Sequence, residues 1–237
     1  LFVVACGAIE STRLLLLSAS PEHPAGLGND HDLLGRYFME HPFYRYAATI
    51  PNFAGLPDRQ LGRTYQFVDD LHAEGMGGVI LAFYGRTHER LTIALGIEMQ
   101  PSASNRITLN EASPDAFGNA GANVHFDFSE SDRRVIERGE QIVRDVFSQF
   151  EATEFEKLDY FHFSHHHMGG TRMGTSAEDG VVDANLKVFG TDNLYVASSS
   201  VFRTSGTANP TLTIAALALR LGDHLGQRAD AERPGNA

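Results

Sequence analysis

The chain opens on an unbroken apolar run, Leu1-Phe2-Val3-Val4-Ala5-Cys6. A strand apolar on both faces needs sheet neighbours on both sides, the usual setting of a parallel sheet. Gly7 and small residues then turn the chain, and the run Arg13-Leu14-Leu15-Leu16-Leu17 predicts a helix over residues 12–20. Strand, glycine turn, helix is the grammar of an α/β domain. Residues 21–30 form a loop rich in Pro, Gly and Asn. The texture is then β: residues 43–50, 78–84 and 91–100 carry β-branched and aromatic side chains. Residues 105–109 and 123–128 alternate apolar with polar, as half-buried strands do. Ser129 and Asp132 make a capping box, opening a helix to about residue 150. Its apolar side is Val135, Ile136, Ile142, Val143, Val146 and Phe147. Short strands follow at 181–183 and 186–190, then a buried one at 193–197. Asn209 suits a helix cap, Pro210 the first helical position and 212–225 the helix body.

This order predicts an α/β domain interrupted by an α+β layer. The first strand asks for neighbours that nothing upstream in the chain supplies, so the sequence reads as a fragment. Composition changes little: 237 residues, 42% hydrophobic and 21% charged, describe a globular protein with ample length for a core. A net charge of −11 argues against nucleic acid, which needs clustered Lys and Arg, and fits a neutral or cationic small molecule better. The single cysteine, Cys6, is expected as a buried thiol within its apolar run. No apolar run reaches the length of a membrane span, and nothing at the start resembles a signal peptide; the compartment stays unknown. Gly26-Leu27-Gly28 lacks the third glycine and the leading strand of a dinucleotide fingerprint.

Candidate chemistry concentrates in His162 and His165-His166-His167-Met168-Gly169-Gly170-Thr171-Arg172-Met173-Gly174, read with Asn209-Pro210-Thr211. Histidine carries protons near neutral pH, and a glycine turn lets backbone approach a ligand closely. A helix beginning at Asn-Pro presents free N–H groups and partial positive charge, which suits an anion or an electron-rich ring edge. Base and acceptor together would serve to oxidise an alcohol. Other readings of the same residues stay open. The histidine run could be a surface or core accident, or His162, His165 and His167 could hold a metal. Asn209 could be only a cap, Ser198 to Ser200 only small residues at a strand end, Arg172 only ion-paired, and His41 only structural.

Several ordered stretches resemble one family. They are the His166–Gly174 motif, Val181-Val182-Asp183-Ala184-Asn185-Leu186-Lys187-Val188-Phe189-Gly190, Asn193-Leu194-Tyr195-Val196-Ala197-Ser198-Ser199-Ser200 and Gly206-Thr207-Ala208-Asn209-Pro210-Thr211. Leu34-Gly35-Arg36-Tyr37-Phe38-Met39-Glu40-His41-Pro42 and Glu98-Met99-Gln100-Pro101 extend the match. Together they resemble the C-terminal portion of the glucose–methanol–choline (GMC) flavoprotein oxidoreductases. The resemblance implies α/β plus α+β: the remnant of a Rossmann-type FAD domain, with an inserted substrate domain built on an antiparallel sheet. Residues 1–25 would be one FAD-domain segment, 26–39 a connecting loop and 40–158 the substrate domain. Residues 159–228 would be the second FAD-domain segment and 229–237 a frayed tail. The resemblance implies His167 as general base and Asn209 as its active-site partner. It places Ser198 and Ser199 at the FAD diphosphate, Pro210 and Thr211 at the flavin pyrimidine, Gly7 near the adenosine, and metal nowhere. FAD belongs to the intact parent and is not expected to stay on this chain alone. The substrate would be a sugar or other small alcohol, the electron acceptor undetermined among oxygen, a quinone or a protein. A catalytically silent carbohydrate-binding or partner module remains the alternative. Arg203 stands where the family often has Pro, and Ser198 where many members have an acidic residue.

Overall fold

The computed structural model describes residues 1–51, 57–85, 89–158 and 161–231. In chain order the elements are β1 (Phe2–Val4), α1 (Gly7–Leu17), β2 (Pro42–Thr49), β3 (Gln60–Thr64), α2 (Val68–Ala73), β4 (Val79–Gly85) and β5 (Arg90–Ile97). There follow β6 (Arg106–Asn110), β7 (Gly121–His125), α3 (Glu130–Gln149), β8 (Thr153–Lys157) and β9 (His162–Phe163). β10 (Leu194–Val196), a 3₁₀ turn (Ser199–Val201) and α4 (Thr211–Ala231) complete the chain.

The larger layer is an antiparallel sheet in the order β3-β4-β5-β2-β8, with β9 also pairing with β2. β2, β4 and β5 are the β-rich stretches of the sequence, and the core behind the sheet holds Tyr46, Leu81, Ile93, Leu95 and Ile97. α3 covers that face with Val135, Ile142, Val143 and Phe147 buried and Ile136 and Val146 half-buried. Its capping box is formed: Ser129 Oγ accepts from Asp132 N while Asp132 accepts from Ser129 N. Gly139 lets the helix sit close, since a Cβ there would lie 2.9 Å from Leu95. β3, α2, β8 and β9 carry too little apolar periodicity to announce themselves, and β9 continues the sheet beyond residue 158.

The second core gathers Val4, Leu15, Leu34, Val181, Val182, Leu186, Val188, Tyr195 and Val196. β1 pairs with β10 in parallel, Val3 opposite Tyr195. Several expectations fail here. β1 is short and open, with Leu1, Phe2 and Val3 exposed, and Cys6 is exposed rather than buried. Residues 181–183 and 186–190 form isolated bridges, Val182 to Met173 and to Val188, instead of strands. The first helix begins at Gly7 rather than at residue 12. Residues 229–231 belong to α4; the rest of the expected tail lies outside the described residues. β6 and β7 pair with each other and pack against α1, joining the two layers. Arg13 on α1 holds that contact, donating to Ala120 O and to Asp115, whose carboxyl is held at about 2 by the guanidinium.

Candidate active site

The two layers meet at residues 162–174. The Met168 backbone exchanges hydrogen bonds with Met39, N to O at 2.9 and 2.8 Å. Gly169 and Gly170 follow with φ of +78° and +102°. A Cβ on Gly169 would lie 1.9 Å from the Tyr37 carbonyl, and one on Gly170 2.3 Å from Thr12 Oγ1. On the side where a Cβ would stand, both glycines are pressed against protein.

Glu40 is the hub. Its carboxylate is wholly buried, and Oε1 accepts from His41 N at 2.8 Å, His166 N at 2.9 Å and Ser164 Oγ at 2.6 Å. Its Oε2 lies 3.3 Å from His167 Nε2, an ion-pair distance. A buried carboxylate is costly unless donors surround it, and these donors come from both strands of the junction. His165 adopts φ of +61°, a backbone region that non-glycine residues rarely occupy. Beyond that turn the next two rings diverge. His167 goes to Glu40 and against Phe38, ring centroids 5.7 Å apart. His166 goes to a cavity of about 460 Å³ on the sheet, also lined by Asn209, Arg63, Tyr84, Thr92 and Phe163.

His166 leans on His41: the rings stand nearly perpendicular, with Nδ1 to Nδ1 at 3.1 Å. The other nitrogen of His41, Nε2, donates to Gly206 O at 2.8 Å. Burial lowers the pKa of both imidazoles, His41 through desolvation first and His166 through desolvation and then the neighbouring His41. Their neutral forms are the ones favoured near neutral pH.

Asn209 is placed by a loop that three groups of the antiparallel-sheet layer hold. Ser205 Oγ donates to Met99 O, His41 to Gly206 O, and Thr207 Oγ1 to Glu98 Oε2 at 3.0 Å. Glu98 also accepts from His72 and Gly78 N. Burial raises its pKa, but the hydrogen bonds from His72, Gly78 and Thr207 outweigh that, and the net shift is downward. Asn209 Oδ1 accepts from Arg63 at 3.3 Å, at the mouth of α4. Thr211 starts α4 with its side chain in solvent.

The remaining predicted positions are scattered around this centre. Ser199 Oγ donates to His167 O at 2.6 Å, and the Ser198 and Ser200 hydroxyls lie 2.5 Å apart, so the serine side chains serve the fold. Gly7, φ +74°, opens α1, and nothing lies within 4 Å of the place where a Cβ would stand. Arg203 clamps Asp179 with two bonds and reaches Met173 O, holding that carboxyl at about 2 and giving the departure from Pro a structural role. Arg172 stacks over Tyr37. Among the described residues no three His, Cys, Asp or Glu side chains converge on a metal position. His162 is turned to Arg45 instead. Sequence reasoning passed over Glu40; its signal was a lone acid within the buried stretch Phe38-Met39-Glu40-His41.

A family model described as GMC oxidoreductase matches residues 101–218. A fructose dehydrogenase large subunit from Gluconobacter japonicus is 32% identical over 94% of this chain. The chain belongs to the GMC oxidoreductase family. A 2-methyl-1,2-propanediol dehydrogenase from Mycolicibacterium austroafricanum is 27% identical over 95% of the chain. A formate oxidase of Aspergillus oryzae shares the fold, with a TM-score of 0.71 at 17% identity over 97% of the chain. The chain spans 46% and 48% of the two dehydrogenases and 54% of the oxidase, about half their length. Among the described residues no helix is long and apolar enough to cross a membrane.

Proposed function

We propose that this GMC oxidoreductase segment carries the substrate-side half of a site that oxidises an alcohol group of a sugar or small polyol. The carrying observation is the cavity that brings His166 and Asn209 together beside the start of α4. Named relatives act on fructose and on 2-methyl-1,2-propanediol, which supports a polyol substrate. Arg63, Tyr84 and Thr92 supply polar groups around the cavity and Phe163 an apolar wall, a lining suited to a hydroxyl-bearing ring or chain.

FAD is the proposed cofactor; it is also the group whose modification was followed in the formate oxidase. The residues fit it in part. The first turn of α4 after Pro210 is exposed at Thr211, Leu212 and Thr213, so its free N–H groups are open to an electron-rich ring edge, and Gly7 offers an unobstructed backbone approach. Ser198 and Ser199 have committed their hydroxyls internally, so they would meet a diphosphate through backbone. The open faces of β1 and α4, with Phe2 and Leu212 exposed, fit a cofactor domain extending beyond these elements. Bound FAD supplies the acceptor for the carbinol hydride. This chain's own part is to hold the alcohol oxygen with Asn209 and to take the hydroxyl proton on an imidazole of the 165–167 run. The family motif assigns that proton to His167, and the cavity favours His166.

The test is a purified protein containing this segment: a flavin absorbance band bleached by fructose or a vicinal diol, with dye reduction as the turnover assay. Replacing the base should cost about 10²–10⁴-fold in kcat. A colourless protein, or a flavin that no polyol reduces, would sink the proposal and favour the silent binding module.

A further inference from the structure

Resting on the alcohol-oxidising reading of this cavity, we infer that Arg63 is a specificity residue for an anionic substrate: a polyol that carries a carboxylate, held by the Arg63 guanidinium beside Asn209.

The register of the sheet builds the feature. Arg63 on β3 stands opposite Ala82 on β4, Ala82 opposite Ala94 on β5, and Ala94 opposite Arg45 on β2. Residues paired in this way share a face, so one row across four strands reads Arg-Ala-Ala-Arg. All four line the cavity. Three strand spacings set the two arginine Cα atoms about 14 Å apart, and the small alanines between them leave the floor low. At one end Arg45 donates to His162 Nε2. At the other Arg63 donates to Asn209 Oδ1 at 3.3 Å. That acceptor is neutral, and among the described residues no carboxylate pairs with Arg63. A guanidinium is always charged and carries five N–H donors, so one bond to an amide oxygen leaves others for a ligand. Among the described residues that line the cavity none is Asp or Glu, in a chain whose net charge is −11. The acidity that favours a neutral or cationic ligand for the chain as a whole is thus reversed where the substrate would sit. The charge of Arg63 is felt inside: after burial and His41, it is among the groups that lower the His166 pKa. Such a local excess of one sign draws in ligands of the other. The paired N–H groups of a guanidinium match the two oxygens of a carboxylate, whereas a phosphate brings a third oxygen and more charge than one guanidinium balances. With Asn209 on the carbinol oxygen, the anion and the oxidised carbon lie close along the substrate. The carboxylate is a handle and stays unchanged: the carbinol gives its hydride to the flavin and its proton to the histidine run, leaving an oxo acid.

The test compares ribitol, D-ribonate and D-ribitol 5-phosphate, which differ at one end only, on the flavin-loaded protein containing this segment, with dye reduction as the readout. The expected result is a KM for D-ribonate at least about 10-fold below that for ribitol, a preference that shrinks as salt rises. Arg63→Gln should raise the D-ribonate KM about 10-fold with the ribitol KM little changed, and Arg63→Lys should keep most of the preference. Equal losses for both probes in Arg63→Gln would leave Arg63 only as a support for Asn209 and overturn the inference. A wild type that shows no preference for D-ribonate over ribitol overturns it as well, and a preference for the phosphate overturns carboxylate as the anion. Calorimetric titration of the flavin-free 237-residue chain reads the same selectivity without turnover. Tighter binding of D-ribonate than of ribitol, lost in Arg63→Gln, supports the inference; equal affinities overturn it. A flavin that none of the three probes reduces would sink the alcohol-oxidising reading instead, and the titration still decides whether the cavity takes an anion.

Discussion

Glu40→Ala should be among the most damaging single substitutions in this chain. The carboxylate is 0% exposed and its Oε1 receives three hydrogen bonds, from two backbone amides and one hydroxyl at 2.6–2.9 Å. Removal orphans all three donors at the junction between β2 and the 162–174 segment. Each buried donor left unpaired costs about 1–3 kcal/mol. Water admitted to the vacated space recovers part of this, so the expected loss is about 3–6 kcal/mol. A domain of this kind has only about 5–15 kcal/mol in total. Glu40→Gln separates charge from geometry. Its amide oxygen still accepts the three bonds, and its NH₂ faces His167, so the cost should be about 1–2 kcal/mol. Urea unfolding followed by tyrosine fluorescence, which the absence of Trp makes clean, measures both variants. If Glu40→Ala stays within about 1 kcal/mol of wild type, Glu40 is not the hub of the junction. If Gln proves as damaging as Ala, the negative charge facing His167 matters more than the accepted bonds.

Three further outcomes are expected. Gly169→Ala, at φ +78° with its new methyl 1.9 Å from Tyr37 O, should lower stability by at least about 2 kcal/mol in the same assay; a near-neutral result would mean that the 37–39 backbone yields freely. Asn209→Ala should cut turnover yet change stability by less than about 0.5 kcal/mol, because its Oδ1 accepts from Arg63; loss of about 1 kcal/mol with normal turnover would restore the capping role. His41 has a folded pKa below its unfolded 6.5, despite the opposing pull of Glu40 and Glu98, so its contribution to stability is complete above 6.5 and declines as pH falls below it. His166 adds in the same direction, and Glu98, depressed below 4.5, loses its contribution at still lower pH. Urea midpoints should therefore fall from pH 7 to pH 5, and fall less steeply in His41→Asn; a flat profile would contradict a buried, neutral His41.

The elements that announced themselves were those whose periodicity is set by one buried face. α3 is the clearest case, since its capping box and apolar stripe are both local, and β2, β4 and β5 follow from aromatic and aliphatic residues packed beneath that helix. Edge elements were invisible for the opposite reason: β3 and β8 leave most of their residues in solvent and carry no alternation to read. The first strand misled because an apolar run predicts burial only when partners are present. Among the described residues β1 has one neighbouring strand, and Leu1, Phe2 and Val3 stay open. Within the site, Asn209 and the histidine run could be found because residue type and spacing mark them. The separate placement of the His166 and His167 rings could not. It depends on the backbone turn at His165 and on His41 and Glu40, more than 120 residues away in sequence.

That separation bears on how the site works. Among the described residues, the 205–207 segment that precedes Asn209 is anchored on the layer built on the antiparallel sheet, through Met99 O, Glu98 and His41. The same layer supplies Glu40, which holds the backbone of His166. The imidazole and the amide that would bracket an alcohol are thus both suspended from the sheet whose face forms the cavity. A change in that sheet that reshapes the cavity for a new substrate also shifts the two groups, because no rigid element intervenes between Glu98 and Thr207 or between Glu40 and His166. Substitutions lining the cavity but remote from these anchors, such as Tyr84 or Thr92, should therefore change substrate preference mainly through KM. Changes at Glu98 should lower kcat with every substrate, since Thr207 and with it Asn209 would lose their register.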